Sequence, residues 1–239
     1  MGSRTIAVIL AGGIGERGGF SRPKQLVKLA GRPVISHALE RFQTHDSVDE
    51  ICIVTNELCR SDIEDMVSRE RFTKVKRILL GGAERYDSSL AAIRAYDKDA
   101  DASEILLLFH DAVRPLVSHA IIGDVLKALQ HYDAVDVAIR VADTVIQANP
   151  KTNTIEGIPD RSLLRLGQTP QGFRFQTIKE AYERALKDPN FVTTDDCGVV
   201  VKYMPESPVF IVEGDASNLA SALEVGASFD EHPLAGGGG

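Results

Sequence analysis

The sequence predicts a doubly wound, mostly parallel α/β sheet with one protruding β-arm, and three observations carry that expectation. Apolar runs rich in β-branched residues alternate along the chain with longer amphipathic stretches. Two of the runs, IAVILA at 6–11 and ILLLF at 105–109, are continuously apolar, as central parallel strands covered on both faces must be. One stretch, 143–161, breaks the alternation with short β-like pieces.

The elements follow in order. Strands are expected at 5–11, 50–55, 76–79, 104–109, 134–141, 163–167 and 209–213. Between them, helices are expected at 33–44, 62–70, 87–96, 118–131 and 176–186, with Pro33 at a first helical position and Ser118 as an N-cap. The β-α-β-α order implies right-handed crossovers. Residues 143–161 turn at Asn149-Pro150-Lys151-Thr152-Asn153 and read either as a surface hairpin or as an arm that reaches a second subunit. Met1-Gly2-Ser3 resembles an expression remnant and 235–239 a flexible tail or the start of a linker, so 1–234 is expected to form one domain.

Composition excludes several classes of function. The 239 residues are 44% apolar and 26% charged, enough to build a sizeable core and too apolar for wholesale disorder. Against 27 basic residues stand 34 acidic ones, a net −7 that argues against a nucleic-acid partner while leaving room for an anionic small molecule held by a few local cations. No apolar stretch approaches the roughly 18 residues of a membrane span, and the N-terminus lacks a signal-peptide core. Three cysteines, Cys52, Cys59 and Cys197, without metal-ligand spacing, point to a reduced, cytoplasmic protein.

The chemistry-bearing motifs cluster after strands. Leu10-Ala11-Gly12-Gly13-Ile14-Gly15-Glu16-Arg17, then Arg22-Pro23-Lys24-Gln25, puts a glycine loop and then cations behind the first strand. Glycines let main-chain N–H groups approach phosphate oxygens, and Arg17 and Lys24 supply charge; a tight turn is the plainer alternative. The loop is no P-loop, and although Gly13, Gly15 and Gly18 satisfy GxGxxG, the acidic residue of a dinucleotide fold is missing about 20 residues on. Gly81-Gly82-Ala83-Glu84-Arg85-Tyr86-Asp87-Ser88 joins the third strand to a helix, suited to backbone recognition of a base or phosphate, or simply a cap pair. Phe109-His110-Asp111-Ala112-Val113-Arg114-Pro115 ends the fourth strand, where Asp111 is placed to hold a divalent cation bridging phosphates and His110 reads as a structural histidine. Arg161, Gly167-Gln168-Thr169-Pro170-Gln171 and Thr193-Thr194-Asp195-Asp196 read either as turn and cap chemistry or as the lining of a phosphate pocket.

Taken in this order, from about Ile6 to Asn218, the motifs LAGGxGxR…PKQ, GGxxRxxS, HDxxRP, DT and QTPQxF resemble the polyol-phosphate cytidylyltransferases. The resemblance implies a Rossmann-like fold of the nucleotide-diphospho-sugar transferase type, and CTP plus a polyol phosphate giving a CDP-polyol and pyrophosphate with Mg²⁺. It assigns Ala11, Gly12, Gly13, Gly15, Gly82, Arg85, Ser88 and Asp111 to the nucleotide, Asp111 also to the metal, and Arg17 and Lys24 to catalysis. Thr144, Arg161, Thr169 and Thr194 fall to the acceptor, with Thr144 and Arg161 acting across a homodimer built through the arm. Details around 133–136, 158–161 and 167–171 resemble the ribitol 5-phosphate enzymes more than the 2-C-methyl-D-erythritol 4-phosphate ones, so ribitol 5-phosphate is the expected acceptor and methylerythritol phosphate the alternative. One departure stands out: the family pattern Asn, aliphatic, Lys reads Asn218-Leu219-Ala220 here, with Lys202 as a possible substitute. The missing Lys also keeps open a CTP-binding regulatory module without turnover.

Overall fold

In the computed structural model, residues 3–13, 23–82 and 84–218 are described. The first half of the chain forms β1 (Arg4–Ala11), β2 (Lys28–Leu29), β3 (Arg32–Pro33), α1 (Val34–Gln43), β4 (Glu50–Thr55), α2 (Glu57–Glu70), β5 (Val75–Leu80) and α3 (Arg85–Tyr96). There follow β6 (Ile105–Asp111), α4 (His119–Ala128), β7 (Ala134–Arg140), β8 (Gln147–Ala148), β9 (Ile155–Gly157), β10 (Arg165–Arg174), α5 (Phe175–Ala185), α6 (Asp196–Tyr203) and β11 (Val209–Glu213). Seven strands make the central sheet in the order β11-β7-β10-β6-β1-β4-β5. Strand β10 runs antiparallel to both its neighbours, and every other pairing is parallel.

The two-residue period of a strand divides the core into two layers. From β1, Ala7, Ile9 and Ala11 face a cluster with Ile35, Leu39 and Phe42 of α1, Ile63 and Met66 of α2, and Ile121, Ile122 and Val125 of α4. Ile6 and Val8 face the other way, onto Leu90 and Ile93 of α3, Ile178 and Tyr182 of α5, and Val199 and Val200 of α6. Each of these large side chains removed from water contributes roughly 1.5–3 kcal/mol. That two-sided burial is why the 6–11 run carries no polar alternation.

Several boundaries differ from the sequence expectation, each for a local reason. Pro33 stands just outside α1 with an extended backbone (ψ 142°), because it closes the small β2–β3 hairpin before the helix begins. Helix α2 starts at Glu57 rather than 62, since the Asn56 side chain accepts from Cys59 N at 3.0 Å and caps it. The helix expected at 118–131 ends at Ala128, with Ser118 capping its start through Ile121 N. The strand expected at 163–167 continues to Arg174 as β10, so 168–171 is irregular strand with a register shift, not a turn. Helix α6 went unforeseen: Gly198 and consecutive valines make a poor helix by propensity, and packing plus the Asp195 cap on Gly198 N hold it.

In the 143–161 segment, β8 pairs antiparallel with β9. Asn149 Oδ1 accepts from the backbone N of Lys151 and Thr152, and Asn153 takes a positive φ of 54° to complete the turn. Ile146, Ile155 and Ile158 on this arm are all at least half exposed.

Candidate active site

Four parallel strands end level with one another. Leu10 is paired with Asp111, Ala11 with Thr55, and Thr55 with Leu80, so the segments after β1, β4, β5 and β6 open on one edge. At about 4.8 Å per strand that edge is roughly 14 Å across, room for a nucleotide laid along it. The starts of α2 and α3 lie on the same edge, with their unpaired N–H groups directed outward.

The β1 loop is fastened from below. Gln25 is buried, and its Nε2 donates to the carbonyl oxygens of Ala11 (2.8 Å) and Gly13 (3.0 Å). Asn56 Nδ2 donates to Gly12 O at 3.0 Å. With their carbonyls turned down into these donors, Gly12 and Gly13 remain at the surface end of the strand. Lys24 opens the short 3₁₀ turn that also carries Gln25, so the same anchor sets its position.

The β5 loop needs its glycines for space. A Cβ on Gly81 would run into the Ser88 hydroxyl, and one on Gly82 would lie 2.5 Å from Asp87 Oδ2. Asp87 Oδ2 accepts from Glu84 N at 3.0 Å and closes the first turn of α3, while Ser88 is buried beneath the glycines.

Asp111 lies between two guanidinium groups. Its Oδ2 accepts from Arg114 Nε at 3.1 Å, and its Oδ1 lies 3.9 Å from Arg85 Nη2, beyond hydrogen-bond distance. Arg85 Nη1 donates at 2.8 Å to Asp196, a fully buried carboxylate whose other oxygen accepts from Tyr182 OH at 2.6 Å. Burial opposes the charge of Arg85, but the carboxylates of Asp196 and Asp111 outweigh it and raise its pKa.

Behind Asp111 is a buried relay. Thr169 Oγ1 accepts from Asp111 N at 3.1 Å and lies 2.9 Å from His110 Nδ1, so its hydroxyl proton goes to that nitrogen. His110 must then carry its own proton on Nε2, which donates to Arg114 O at 3.0 Å. Burial lowers the His110 pKa to about 4, consistent with the neutral ring this pattern requires. Gln171 links the other side: its Oε1 accepts from Asp196 N and Cys197 N, while its Nε2 donates to Asp136 and Asp195.

The expected site residues thus fall into four groups. Ala11, Gly12, Gly13, Lys24, Gly82, Arg85, Ser88 and Asp111 lie on or beside the one edge. Thr169 is beside it too; the residue is buried, and its hydroxyl meets Asp111 N and His110 Nδ1. Thr144 and Arg161 are exposed on the arm, where Arg161 Nη1 donates to Ala142 O, and Thr194 is exposed ahead of α6. Gly15 and Arg17 lie outside the described residues. Lys202 does not replace the missing family lysine at this edge; it stands in the last turn of α6, paired with Asp188 at 3.3 Å. Sequence reasoning assigned no role to Gln25, Gln171, Arg114 or Asp196, although each lies in or beside a quoted motif. All three cysteines are buried free thiols, and among the described residues no helix is long and apolar enough to cross a membrane.

Glycine loops and helix starts along a parallel sheet edge, with a carboxylate set among cations, suit an enzyme that binds a nucleotide through its phosphates. The profile of the 2-C-methyl-D-erythritol 4-phosphate cytidylyltransferase family matches residues 5–224. The chain is 45% identical over 219 residues to the enzyme of that name from Thermobifida fusca, covering 90% of this chain and 87% of the relative. It is 42% identical over 217 residues to the bifunctional ribulose 5-phosphate reductase/CDP-ribitol pyrophosphorylase of Haemophilus influenzae, where it spans only 45% of the longer protein. The crystal structure of 4-diphosphocytidyl-2C-methyl-D-erythritol synthase from Anaerococcus prevotii superposes with a TM-score of 0.78 at 24% identity, covering 96% of this chain and 97% of the other. The chain belongs to the 2-C-methyl-D-erythritol 4-phosphate cytidylyltransferase family: it is a CTP-dependent cytidylyltransferase acting on a sugar-alcohol phosphate.

Proposed function

We propose that the acceptor is 2-C-methyl-D-erythritol 4-phosphate, so that the reaction yields 4-diphosphocytidyl-2-C-methyl-D-erythritol and pyrophosphate. The observation that carries this is the match over nearly the whole length of the Thermobifida fusca enzyme. It outweighs the local motif details that favoured ribitol 5-phosphate. Ribitol 5-phosphate stays as the second reading, on the strength of the 42% identity to the Haemophilus influenzae protein.

The chemistry follows from charge. An ionised acceptor phosphate attacks the α-phosphorus of CTP in line, the bond to the β-phosphate oxygen breaks, and pyrophosphate leaves with the electron pair. The nucleophile is already an anion, so no general base is required. The β1 and β5 loops orient the nucleotide, and Lys24 and Arg17 offset the charge that develops on the transferring phosphoryl group. Asp111 suits a Mg²⁺ ion, which takes one or two carboxylates and fills its remaining positions with phosphate oxygens and water. Its Oδ1, outside hydrogen-bond distance of Arg85, is the donor that fits. Once bound, such an ion would polarise the triphosphate and screen its charge.

Thr144 and Arg161 act in this reading on the acceptor phosphate of a neighbouring subunit. The support is the arm itself, an exposed hairpin with three exposed isoleucines, which is marginal in water unless it packs against a second copy. The deciding experiment is pyrophosphate release from CTP with methylerythritol 4-phosphate, ribitol 5-phosphate and glycerol 3-phosphate offered separately. The highest kcat/KM is expected with methylerythritol 4-phosphate; a higher value with ribitol 5-phosphate reverses the assignment.

A further inference from the structure

Arg85 has two carboxylates within reach and is bonded to only one of them. Its Nη1 meets Asp196 Oδ2 at 2.8 Å, while its Nη2 stops 3.9 Å short of Asp111 Oδ1. Asp196 cannot yield, because it is fully buried and held from three sides: Tyr182 OH on Oδ1, Arg85 on Oδ2 and Gln171 Oε1 on its backbone N. A buried carboxylate that loses its cation is strongly disfavoured, so the Arg85 guanidinium stays with Asp196. Arg114, on the other side of Asp111, is tied back in the same manner, its Nη1 donating to Asn218 O at 2.9 Å. Asp111 therefore has one oxygen hydrogen-bonded to Arg114 and one that no guanidinium of this pair closes upon.

We propose that Asp196 is a positioning residue for Asp111: by holding Arg85 it keeps Asp111 Oδ1 open to the divalent cation that accompanies the triphosphate. Without the Asp196 charge, the nearest carboxylate to Arg85 among the described residues is Asp111, and a movement of about 1 Å converts the 3.9 Å approach into a charge-assisted hydrogen bond that competes with the cation. The inference rests on Asp111 as the cation-binding carboxylate, and it adds that a residue 85 positions away along the chain, on α6, sets how available that carboxylate is.

The test is a Mn²⁺ titration of the full chain at saturating CTP, with free Mn²⁺ read by electron paramagnetic resonance. Asp196→Asn, which keeps the shape and can still accept from Tyr182, should weaken Mn²⁺ binding roughly tenfold, the scale of one charge-assisted hydrogen bond. The double variant Arg85→Met/Asp196→Leu removes the competing guanidinium along with its holder and replaces a buried pair by apolar groups, a change such pairs often tolerate. With CTP held saturating for each variant by its own CTP titration, so that any part Arg85 has in holding the nucleotide is read separately, its Mn²⁺ affinity should stay within about twofold of the parent because the competitor is gone. A merely structural Asp196 gives the reverse order, with the double variant at least as impaired as the single one. That order overturns the proposal, as does unchanged Mn²⁺ affinity in Asp196→Asn. Should Asp196→Asn fail to fold by circular dichroism, the double variant decides alone: a loss as large as that of Asp111→Asn overturns the proposal. Unchanged Mn²⁺ binding in Asp111→Asn removes the cation role of Asp111 and the proposal with it, whereas a shift there with none in Asp196→Asn removes the Asp196 link only.

Discussion

Replacing Thr169 by Val exchanges a hydroxyl for a methyl group of nearly the same size at the centre of the relay behind Asp111. The hydroxyl accepts from Asp111 N at 3.1 Å and donates to His110 Nδ1 at 2.9 Å, so the change leaves one N–H and one ring nitrogen without partners. His110 is fully buried, and its orphaned nitrogen costs about 1–3 kcal/mol; Asp111 N is only partly enclosed and costs about 1 kcal/mol. The added methyl returns about 0.8 kcal/mol of apolar burial. The net expectation is a loss of about 1–3 kcal/mol, read as a lower denaturant midpoint with an unchanged m-value at pH 7. Thr169→Ser keeps the hydroxyl and loses one methyl, and should cost only about 1 kcal/mol. The order of the two variants is the sharper test. If Ser is costlier than Val, or Val lies within about 0.5 kcal/mol of the parent, the hydroxyl is not bridging Asp111 and His110.

Three further outcomes are expected. Gln25→Leu leaves the Ala11 and Gly13 carbonyls without their buried donor, so it should cost about 1–3 kcal/mol and weaken CTP binding measured by calorimetry; unchanged CTP affinity would separate the anchor from the loop it holds. Burial, with Asp195 adding to it, raises the Asp136 pKa from 3.8 to about 6, so between those values the folded form keeps a proton that the unfolded chain has released. Stability should fall as pH rises through that window by about 1.4 kcal/mol per unit, about 3 kcal/mol in all, and Asp136→Asn should remove this loss; a difference from the parent that is constant between pH 4 and 7 counts against it. Gly172→Ala on β10 would place a Cβ 2.6 Å from Val125 Cγ1 and 3.0 Å from Leu129 Cδ1, so α4 must shift; about 1–3 kcal/mol should be lost in thermal or chemical melts, and a neutral result would mean that α4 yields freely.

What could be read from the sequence depended on how local the governing physics is. IAVILA at 6–11 and ILLLF at 105–109 announce central strands because two-sided burial leaves no room for polar alternation. Once those strands are parallel, the residues following them must emerge at one edge, which is why Gly12, Gly82 and Asp111 could be grouped before any coordinates. Helix α6 was invisible because valines and a glycine make it unfavourable in isolation, and, although Asp195 caps it locally, the packing that holds it comes from elsewhere in the chain. Hydrogen bonds that run between distant segments could not be read from the sequence. Nothing near Thr169 in the sequence says that its hydroxyl points inward to His110, and nothing near Arg85 names Asp196 as its partner. The arm was legible as an interruption, but the exposed isoleucines that make it an interface candidate appear only in three dimensions.

The paired charges also decide where the attraction for a triphosphate must come from. Arg85 and Arg114 are matched by Asp111 and Asp196, so these four side chains together carry no net charge. A chain of net −7 cannot rely on its overall field to draw in an anion either. Among the described residues, the proposed attraction then falls to the N–H groups at the starts of α2 and α3 and behind Gly12, Gly13 and Gly82, together with Lys24. In the described part of the β1 loop, Gln25 fixes both the glycine carbonyls and the turn bearing Lys24, so in the proposed reading one buried amide sets together the amides meant for phosphate oxygens and a cation meant to offset their charge. On the proposed cation role of Asp111, the guanidinium pairs beside it have the separate task of holding that carboxylate in place without closing it, so that one edge would serve both a polyanion and its counter-cation.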